Sequence, residues 1–367
     1  MGDFYKRLIT IVYFGDDELN KHGGYFGKDR DSAADLSANI NPLGPPKGVV
    51  ELIKSMAGGI SMYPEIDGIS ARTSLEKALG TGDGSTILGN GAVELIYLFA
   101  RAIRPKNVLI VQPTFNEYKR AFEMYGSNVE SFLCTEENCF RPNMYALAKR
   151  VESGSHEVVV ICNPNNPTGV FTEAKDFKPL LDGLAKNRGI LFADESFIDY
   201  SLGESLIGNI ENHDVFILRS MTKFYSLAGL RIGYGVGHRS IIEKMEKFKE
   251  PWTVNAFALE ALPLMMADGE YRKKTLDFYK YEKEYMLESL SGVKGLDPVE
   301  SRSNFILCRV EGNRAKGLDE HLKKRGVYIR TCEDFYGIGD GYIRVAVKKR
   351  DYTDRFISAA IEYFDQC

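Results

Sequence analysis

An apolar run that ends in an Asn-Pro-rich turn constrains the fold of this chain more than any other feature. Residues 157–162 read Glu-Val-Val-Val-Ile-Cys and lead directly into Asn-Pro-Asn-Asn-Pro-Thr-Gly at residues 163–169. A short, continuous apolar run is typical of a strand buried on both faces of a parallel sheet. The two Asn-Pro steps predict an extended turn, because a residue before proline avoids the helical region. Ligands bind at the carboxyl ends of strands in α/β sheets, so the sequence predicts an α/β fold with a ligand site at this turn.

A second segment places one lysine among groups that bind phosphate. Lys223 lies beside the hydroxyl residues Ser220 and Thr222, and Arg231 follows eight residues after the lysine. Hydroxyls and a planar guanidinium can hold a phosphate, and a lysine amine can form a Schiff base with an aldehyde. This segment resembles the Schiff-base lysine motif of the fold-type I pyridoxal phosphate (PLP) enzymes, the aspartate aminotransferase superfamily. PLP is therefore the expected cofactor.

A strand, a glycine turn and a helix are expected over residues 86–100, and they offer a second phosphate contact. The free N–H groups and the positive dipole end of a helix N-terminus attract phosphate, and Gly91 and Ala92 occupy that position. The same turn half-matches a dinucleotide fingerprint through Gly89 and Gly91. The third glycine is missing, and Gln112 stands where a carboxylate is expected. A nicotinamide-dependent dehydrogenase remains an alternative, and the turn favours PLP phosphate.

The resemblance implies roles for three further side chains around the cofactor. Phe115 would stack on the pyridine ring, and Asn166 would donate to its phenolic oxygen. Asp194 ends an apolar run, where a carboxylate is costly without a partner. It would pair with the protonated ring nitrogen and so strengthen the electron sink. Lys223 and Asp194 are the expected catalytic residues, and no metal is expected.

Two features predict a homodimer that shares its active sites. The turn at residues 62–68 contains Tyr63-Pro, and in this superfamily a tyrosine at this place reaches the cofactor phosphate of the other subunit. The N-terminal arm, residues 1–48, is the second feature. Tyr63 is therefore expected to complete the cofactor site of the partner.

The substrate end of the site is predicted from the arm and from two arginines near the end of the chain. Resemblance to the histidinol-phosphate aminotransferase branch implies that Arg344 grips the substrate carboxylate or phosphate. Arg330 matches the companion arginine of the branch that handles phosphorylated substrates. The residues that the resemblance assigns to the substrate are His22, Gly23, Asn39, Asn166, Arg330 and Arg344.

Three features within that branch resemble the threonine-phosphate decarboxylases. They are His22-Gly-Gly, the arm sequence Asp-Leu-Ser-Ala-Asn-Ile-Asn-Pro-Leu-Gly from residue 35, and Phe197 where many relatives carry tyrosine. The expected reaction is the decarboxylation of L-threonine O-3-phosphate to (R)-1-aminopropan-2-yl phosphate, which serves cobalamin biosynthesis. The alternatives are a histidinol-phosphate aminotransferase, a phosphoserine decarboxylase that forms ethanolamine phosphate, and a non-catalytic PLP-binding regulator.

The resemblance also implies the domain organisation. A large domain with a mostly parallel seven-stranded sheet is expected over residues 49–255, and a smaller α+β domain over residues 256–367. Residues 1–48 would form an arm that joins the small domain.

Composition excludes several other classes of protein. The 367-residue chain has a net charge of −4 and no basic stripe of the kind that binds nucleic acid. No apolar run approaches the ~18 residues of a membrane span. The six cysteines form no CxxC pair, which favours reduced thiols in a cytoplasmic protein.

Overall fold

The computed structural model of the chain describes residues 23–24, 27 and 32–366. The thirteen strands within these residues are β1 (Ala34–Asp35), β2 (Thr86–Asn90), β3 (Asn107–Gln112), β4 (Asn128–Leu133), β5 (Val158–Cys162), β6 (Ile190–Asp194), β7 (Val215–Ser220), β8 (Ile232–Gly237), β9 (Leu296–Pro298), β10 (Phe305–Val310), β11 (Val327–Tyr328), β12 (Arg330–Thr331) and β13 (Tyr342–Ala346).

Twelve α-helices lie in the same part of the chain. They are α1 (Lys47–Met56), α2 (Ile69–Leu79), α3 (Ala92–Ile103), α4 (Glu117–Met124), α5 (Met144–Gly154), α6 (Lys178–Lys186), α7 (Met221–Phe224), α8 (Arg239–Glu246), α9 (Ala256–Ala267), α10 (Gly269–Ser291), α11 (Ala315–Lys323) and α12 (Arg350–Asp365).

The largest sheet has seven strands in the order β2-β8-β7-β6-β5-β3-β4. Its neighbours from β7 to β4 pair in parallel, whereas β8 runs antiparallel to both β7 and β2. The predicted mostly parallel seven-stranded sheet is therefore confirmed. The carboxyl ends of β5, β6 and β7 meet at one edge, where the predicted ligand turn also lies.

The apolar strand β5 shows why this sheet must be covered on both sides. All five of its residues are buried. Val159 and Ile161 belong to one apolar core cluster, together with side chains of α5 and α6. Val158 and Val160 belong to a second cluster, together with side chains of α3 and α4. Successive side chains of a strand point to opposite faces, so a strand buried on both faces needs an unbroken apolar run.

A second sheet has four antiparallel strands in the order β12-β13-β10-β9. Its register places Arg330 of β12 directly opposite Arg344 of β13. The arm joins this region through a parallel pair of β1 with β11, in which Ala34 lies opposite Val327. The domain boundaries at residues 48 and 255 stay a prediction.

The strand, glycine turn and helix expected over residues 86–100 form as β2, Gly91 and α3. The short strands β11 and β12 follow each other closely in the chain but belong to different sheets. Most of the predicted arm before residue 32 lies outside the described residues. No helix in the described part of the chain is both long and apolar enough to cross a membrane.

A buried ion pair joins the strand ends that carry Asp194 and Lys223. Glu195 follows β6, and its carboxylate lies 2.9 Å from Arg219 Nη2 near the end of β7. Both side chains are buried. The carboxylate also accepts hydrogen bonds from Ser205 Oγ at 2.6 Å and from the Leu206 N–H at 2.8 Å.

We expect Arg219→Met to lower the free energy of unfolding by about 3–5 kcal/mol, because the Glu195 carboxylate would stay buried without its cation. Urea denaturation followed by circular dichroism measures this loss. The matched control is Arg239→Met, which breaks an exposed pair with Glu243 at 2.8 Å and should cost less than ~1 kcal/mol. Equal, small losses in the two variants would contradict a structural role for the buried pair.

Candidate active site

Lys223 lies one turn beyond the carboxyl end of β7. The strand is buried throughout, and α7 begins directly after Ser220. Ser220 Oγ accepts a weak hydrogen bond from the Thr222 N–H at 3.4 Å and lies 2.8 Å from Thr222 Oγ1. The structure therefore brings the predicted hydroxyls and the lysine to one strand end.

The surroundings of Lys223 favour a neutral amine. Burial and, to a smaller extent, the positive charges of Arg344, Arg231 and Lys348 together lower the pKa of Lys223 to about 8. A lysine is a nucleophile only when its amine has lost the extra proton. More of the Lys223 amine is therefore reactive near neutral pH than in an ordinary exposed lysine.

The Arg231 guanidinium and the N-terminus of α3 form a cradle at Gly91, where the guanidinium packs directly against the glycine backbone. Gly91 precedes α3 with φ of 79°, and a methyl group there would lie 2.2 Å from Arg231 Nη2. On the other side, a methyl group on Gly233 would lie 2.5 Å from the Ala92 nitrogen. Glycine at position 91 leaves room for the Arg231 guanidinium. The helix N-terminus and the guanidinium both attract anions. The structure thus brings together the predicted phosphate contacts Gly91, Ala92 and Arg231.

Asp194 is a buried carboxylate at the end of β6 with two hydrogen-bond donors. Its Oδ2 accepts from the Tyr118 hydroxyl at 2.5 Å, and its Oδ1 accepts from the Ser196 N–H at 2.8 Å. Burial raises the pKa of Asp194, and these hydrogen bonds oppose that rise. A cation beside the carboxylate would relieve the cost of burying its charge.

Tyr118 is a site residue that the sequence analysis missed. Its ring packs edge-on against Phe115, with ring centroids 5.7 Å apart, and its hydroxyl holds Asp194. The spacing of three residues between Phe115 and Tyr118 at a helix start was a usable signal, because such residues share a face. The structure thus connects the predicted stacking residue to the predicted partner of the ring nitrogen.

The side chains of the first two asparagines stabilise the turn after β5, and the side chain of the third, Asn166, contacts Arg344. Asn163 donates to the Thr172 carbonyl at 2.8 Å, and Asn165 donates to the Pro113 carbonyl at 2.9 Å. Both Asn-Pro peptide bonds are cis. Asn166 Oδ1 accepts from Arg344 Nη1 at 2.5 Å. Asn166 therefore connects the large sheet to the antiparallel sheet that carries Arg344.

Arg344 is buried and has neutral partners only, among the described residues. Besides Asn166, it donates from Nη2 to the Ser37 carbonyl at 3.0 Å, and its guanidinium lies 5.1 Å from the centre of the Phe305 ring. Its Nε has no hydrogen-bond partner in that part of the chain. Burial lowers the pKa of Arg344 to about 10. A buried cation without a carboxylate is costly, so this position favours an anionic ligand.

Arg330 differs from Arg344 because it has an acidic partner. Its Nη2 lies 2.5 Å from Asp334 Oδ2, and its Nη1 donates to the Thr331 carbonyl at 2.8 Å. Asn116 donates to the Asp334 carbonyl at 2.7 Å, which places this pair beside the start of α4. Arg330 is thus brought opposite Arg344, but its charge is already balanced.

The described part of the arm approaches the site through Ser37. The Gly24 N–H donates to Ser37 Oγ at 2.8 Å, and a methyl group on Gly23 would lie 2.3 Å from the Ser37 carbonyl oxygen. The same carbonyl accepts from Arg344. Asn39 is buried, and its carbonyl accepts from Asn304 at 2.7 Å. His22 lies outside the described residues.

Tyr63 and Phe197 lie at opposite extremes of exposure. Tyr63 is 83% exposed, and its ring centroid lies 5.1 Å from that of Trp252. Phe197 is buried and packs edge-on against Phe305, with centroids 5.2 Å apart. Since Phe305 carries Arg344 on its face, Phe197 belongs to the apolar support of that guanidinium.

Comparison with known proteins defines the family. The profile of aminotransferase class I and II matches residues 32–359. The chain therefore belongs to this family, and the predicted fold-type I architecture is confirmed.

Individual relatives within this family include threonine-phosphate decarboxylases and histidinol-phosphate aminotransferases. The chain is 37% identical to the "Putative threonine-phosphate decarboxylase" of Caldanaerobacter subterraneus subsp. tengcongensis, over 90% of both chains. It is 30% identical to the threonine-phosphate decarboxylase of Salmonella typhimurium, over 92% of this chain and 95% of that protein. The solved histidinol-phosphate aminotransferase of Clostridium acetobutylicum superposes with a TM-score of 0.85 at 29% identity, over 90% of this chain and 99% of that chain.

We expect Gly91→Ala to weaken PLP binding by roughly tenfold or more, because the added methyl fills the cradle and displaces the Arg231 guanidinium. Absorbance titration of the cofactor-free protein measures this affinity. The matched control is Gly80→Ala, since Gly80 also has a positive φ, of 67°, but has open space around it. A similar affinity in both variants would show that the cradle does not hold the cofactor phosphate.

Proposed function

We propose that this protein is a PLP-dependent decarboxylase that converts L-threonine O-3-phosphate to (R)-1-aminopropan-2-yl phosphate and CO2, as a step toward cobalamin. The observation that carries the substrate class is Arg344, a buried cation with neutral partners only among the described residues. A phosphorylated amino acid supplies the anions that such a site lacks. The choice of reaction rests on the names of two similar proteins, both described as threonine-phosphate decarboxylases, one of them as putative. It also rests on the arm sequence from residue 35, which resembles that of the same enzymes.

The residues present fit PLP. The cradle at Gly91 places the Arg231 guanidinium against the N-terminus of α3, and both groups suit a phosphate. Ser220 and Thr222 add hydroxyl donors, Phe115 offers a ring face, and Lys223 would link to the aldehyde. When bound, PLP withdraws electrons from the carbon that bears the amino group and thereby weakens the bonds to that carbon.

Asp194 and Tyr118 would act on the cofactor ring without touching the substrate. The buried carboxylate of Asp194 stabilises a positive charge next to it, and Tyr118 and Ser196 fix the direction in which its oxygens point. A protonated ring nitrogen is the cation that this position suits. Lys223, with its lowered pKa, can accept a proton when the substrate amine enters and return one to the carbon that loses CO2.

Orientation of the substrate decides whether the carboxylate or a hydrogen leaves. Arg344 is held on three sides by Asn166, the Ser37 carbonyl and the Phe305 ring, so an anion that binds it is fixed in direction. Phe197 supports that ring and carries no hydroxyl to compete for the substrate. A rigid site for the substrate phosphate can set the rotation about the bond between the amino nitrogen and its carbon and so place the carboxylate in the reactive direction. Positioning of this kind is worth several kcal/mol.

The cysteines support a cytoplasmic location. The described cysteines Cys134, Cys139, Cys162, Cys308 and Cys332 are all free, and four of them are buried. Free thiols are typical of proteins in a reducing compartment.

The exposed apolar surface around Tyr63 supports a homodimer with shared sites. Its large side chains are Ile60, Met62, Tyr63, Ile66, Ile69 and Trp252, and each is more than 40% exposed. Contiguous apolar surface of this kind is typical of an interface. We propose that a second copy covers it and that Tyr63 then contacts the cofactor phosphate of that copy.

The decisive experiment for the reaction supplies the enzyme with phosphothreonine, phosphoserine, or histidinol phosphate together with 2-oxoglutarate. CO2 and glutamate are measured separately. We expect CO2 from phosphothreonine and no glutamate from histidinol phosphate. Histidinol phosphate has no carboxylate to lose, so with this substrate glutamate reports transamination alone. Phosphoserine lacks one methyl group, which changes the rate by about tenfold or less.

Glutamate from histidinol phosphate, without CO2 from either phospho-amino acid, would contradict the proposal and favour the aminotransferase. Borohydride reduction of the loaded enzyme gives an independent check on Lys223. The labelled peptide should contain Lys223, and label on another lysine would remove it from its proposed role.

Subunit mixing tests the shared sites. A dimer of Lys223→Ala with Tyr63→Ala has one site with both changes and one site with neither. Random mixing should therefore restore about a quarter of wild-type activity, although each variant alone is impaired. The control mixes Lys223→Ala with Tyr145→Ala, an exposed tyrosine distant in sequence, and this pair should show no gain beyond the activity of the two proteins added together. A mixture of the first pair that also shows no gain would contradict shared sites.

A further inference from the structure

Arg330 is expected at the substrate end of the site, but the structure bonds it to an acidic side chain. Its Nη2 lies 2.5 Å from Asp334 Oδ2, and the Arg330 side chain is 10% exposed. Arg330 lies directly opposite Arg344 in the antiparallel pair of β12 with β13. Residues opposite each other in such a pair project to the same face of the sheet. The Asp334 carboxylate therefore lies against one member of a buried arginine pair.

The contact between Asp334 and Arg330 satisfies only half of the carboxylate. Oδ2 meets the guanidinium, whereas Oδ1 is buried without a hydrogen-bond partner in the described part of the chain. Carboxylates bind guanidinium groups most strongly when both oxygens take part. A buried acceptor that lacks a donor also costs free energy. The pair is therefore weaker than a fully bonded one, and the anion of a ligand can compete for the cation.

Arg330 is also held by groups other than Asp334. Its Nη1 donates to the Thr331 carbonyl at 2.8 Å. Its guanidinium lies 5.4 Å from the centre of the buried Phe335 ring, and the face of an aromatic ring attracts a guanidinium. Arg330 therefore keeps its direction when the carboxylate leaves, and a cation that receives the anion of a substrate needs this property.

Asn116 offers the Asp334 carboxylate a second position. Its Nδ2 donates to the Asp334 carbonyl at 2.7 Å and, more weakly, to Asp334 Oδ2 at 3.4 Å. The oxygen that binds Arg330 is thus already within reach of a neutral donor. Asn116 precedes the first turn of α4, and a carboxylate is favoured near a helix N-terminus. A small movement would exchange the cation for this amide.

We propose that Asp334 competes with the phosphate group of the substrate for Arg330 and thereby sets the affinity of the site. The carboxylate moves from Arg330 to the Asn116 amide when the phosphate binds, and it returns when the product leaves. The competition weakens the binding of substrate and product alike, so it limits retention of a phosphorylated product. The inference rests on the proposed function, because that function supplies the phosphorylated ligand.

The test compares Asp334→Asn with the wild type, both as full-length, PLP-loaded protein. Inorganic phosphate is the probe, since the cofactor occupies its own phosphate site, and isothermal titration calorimetry measures the dissociation constant. Asp334→Asn keeps the size of the side chain but removes its charge. We expect phosphate to bind about tenfold more tightly to this variant, because no charged contact has to be exchanged.

Turnover gives a second measurement with its own signature. The KM for phosphothreonine should fall about tenfold in Asp334→Asn, whereas kcat should not rise, because binding that substrate and transition state share alters KM alone. The decarboxylated product should inhibit this variant at about tenfold lower concentration, for the same reason. A residue that only positions Arg330 would give the opposite result, with weaker phosphate binding and a higher KM.

Two further changes make the outcome specific to the exchange. Asn116→Ala should weaken phosphate binding about threefold in the wild type and should have no effect once Asp334→Asn is present. Asp340→Asn removes an exposed carboxylate from the same loop, and it should leave the dissociation constant within about twofold because exposed charges are screened.

Phosphate binding that is unchanged or weaker in folded Asp334→Asn would overturn the proposal. An equal effect of Asn116→Ala with and without Asp334→Asn would also overturn it, since the carboxylate would then not move to that amide. Should Asp334→Asn fail to fold, Asp334→Ser carries the same expectation and the same refutation. Failure of the proposed reaction is seen separately, as the absence of CO2 from phosphothreonine, and it would leave the phosphate titration valid.

Discussion

The parallel pairing of β5, β6 and β7 determines where the chemistry of this protein can occur. Cys162 lies opposite Asp194, and Asp194 lies opposite Leu218, so the three strands end almost level with one another. The Asn-rich turn, the carboxylate and the lysine each follow one of these ends. Groups that are about thirty residues apart in sequence are therefore brought to one edge of the sheet, which is the usual ligand-binding position in α/β folds.

The site collects positive charge that the described residues do not neutralise by a carboxylate in contact. Arg344 and Lys348 are both buried, and in this part of the chain they donate to carbonyl and amide oxygens rather than to carboxylates. Arg330, by contrast, carries its own counterion in Asp334. The cations of the site are therefore of two kinds, those with a carboxylate partner in contact and those without one. Burying the Arg344 and Lys348 charges without a carboxylate in contact costs free energy. An anionic ligand that pairs with these charges offsets that cost and so gains binding energy.

The sequence was sufficient to predict those residues whose roles depend on local order. Gly91, Asn166 and Lys223 each lie in a short motif next to a predicted strand, and the parallel sheet then determines where they meet. Tyr118 and Lys348 were missed because their partners are far away in the chain. Tyr118 bonds a carboxylate 76 residues later, and Lys348 bonds a carbonyl 308 residues earlier. No periodic pattern signals a contact over such a separation.

The long span between the arm and its partners has a consequence during synthesis of the protein. The arm around residues 34–41 leaves the ribosome before the groups that hold it, Val327, Arg344 and Lys348, have been made. The seven-stranded sheet can pair before then, since its strands end at residue 237. A nascent chain would thus carry Lys223 on a formed sheet with its anion site still open. Truncated products that end before residue 327 would consequently present Lys223 without the groups that select its substrate and without two of the charges that lower its pKa.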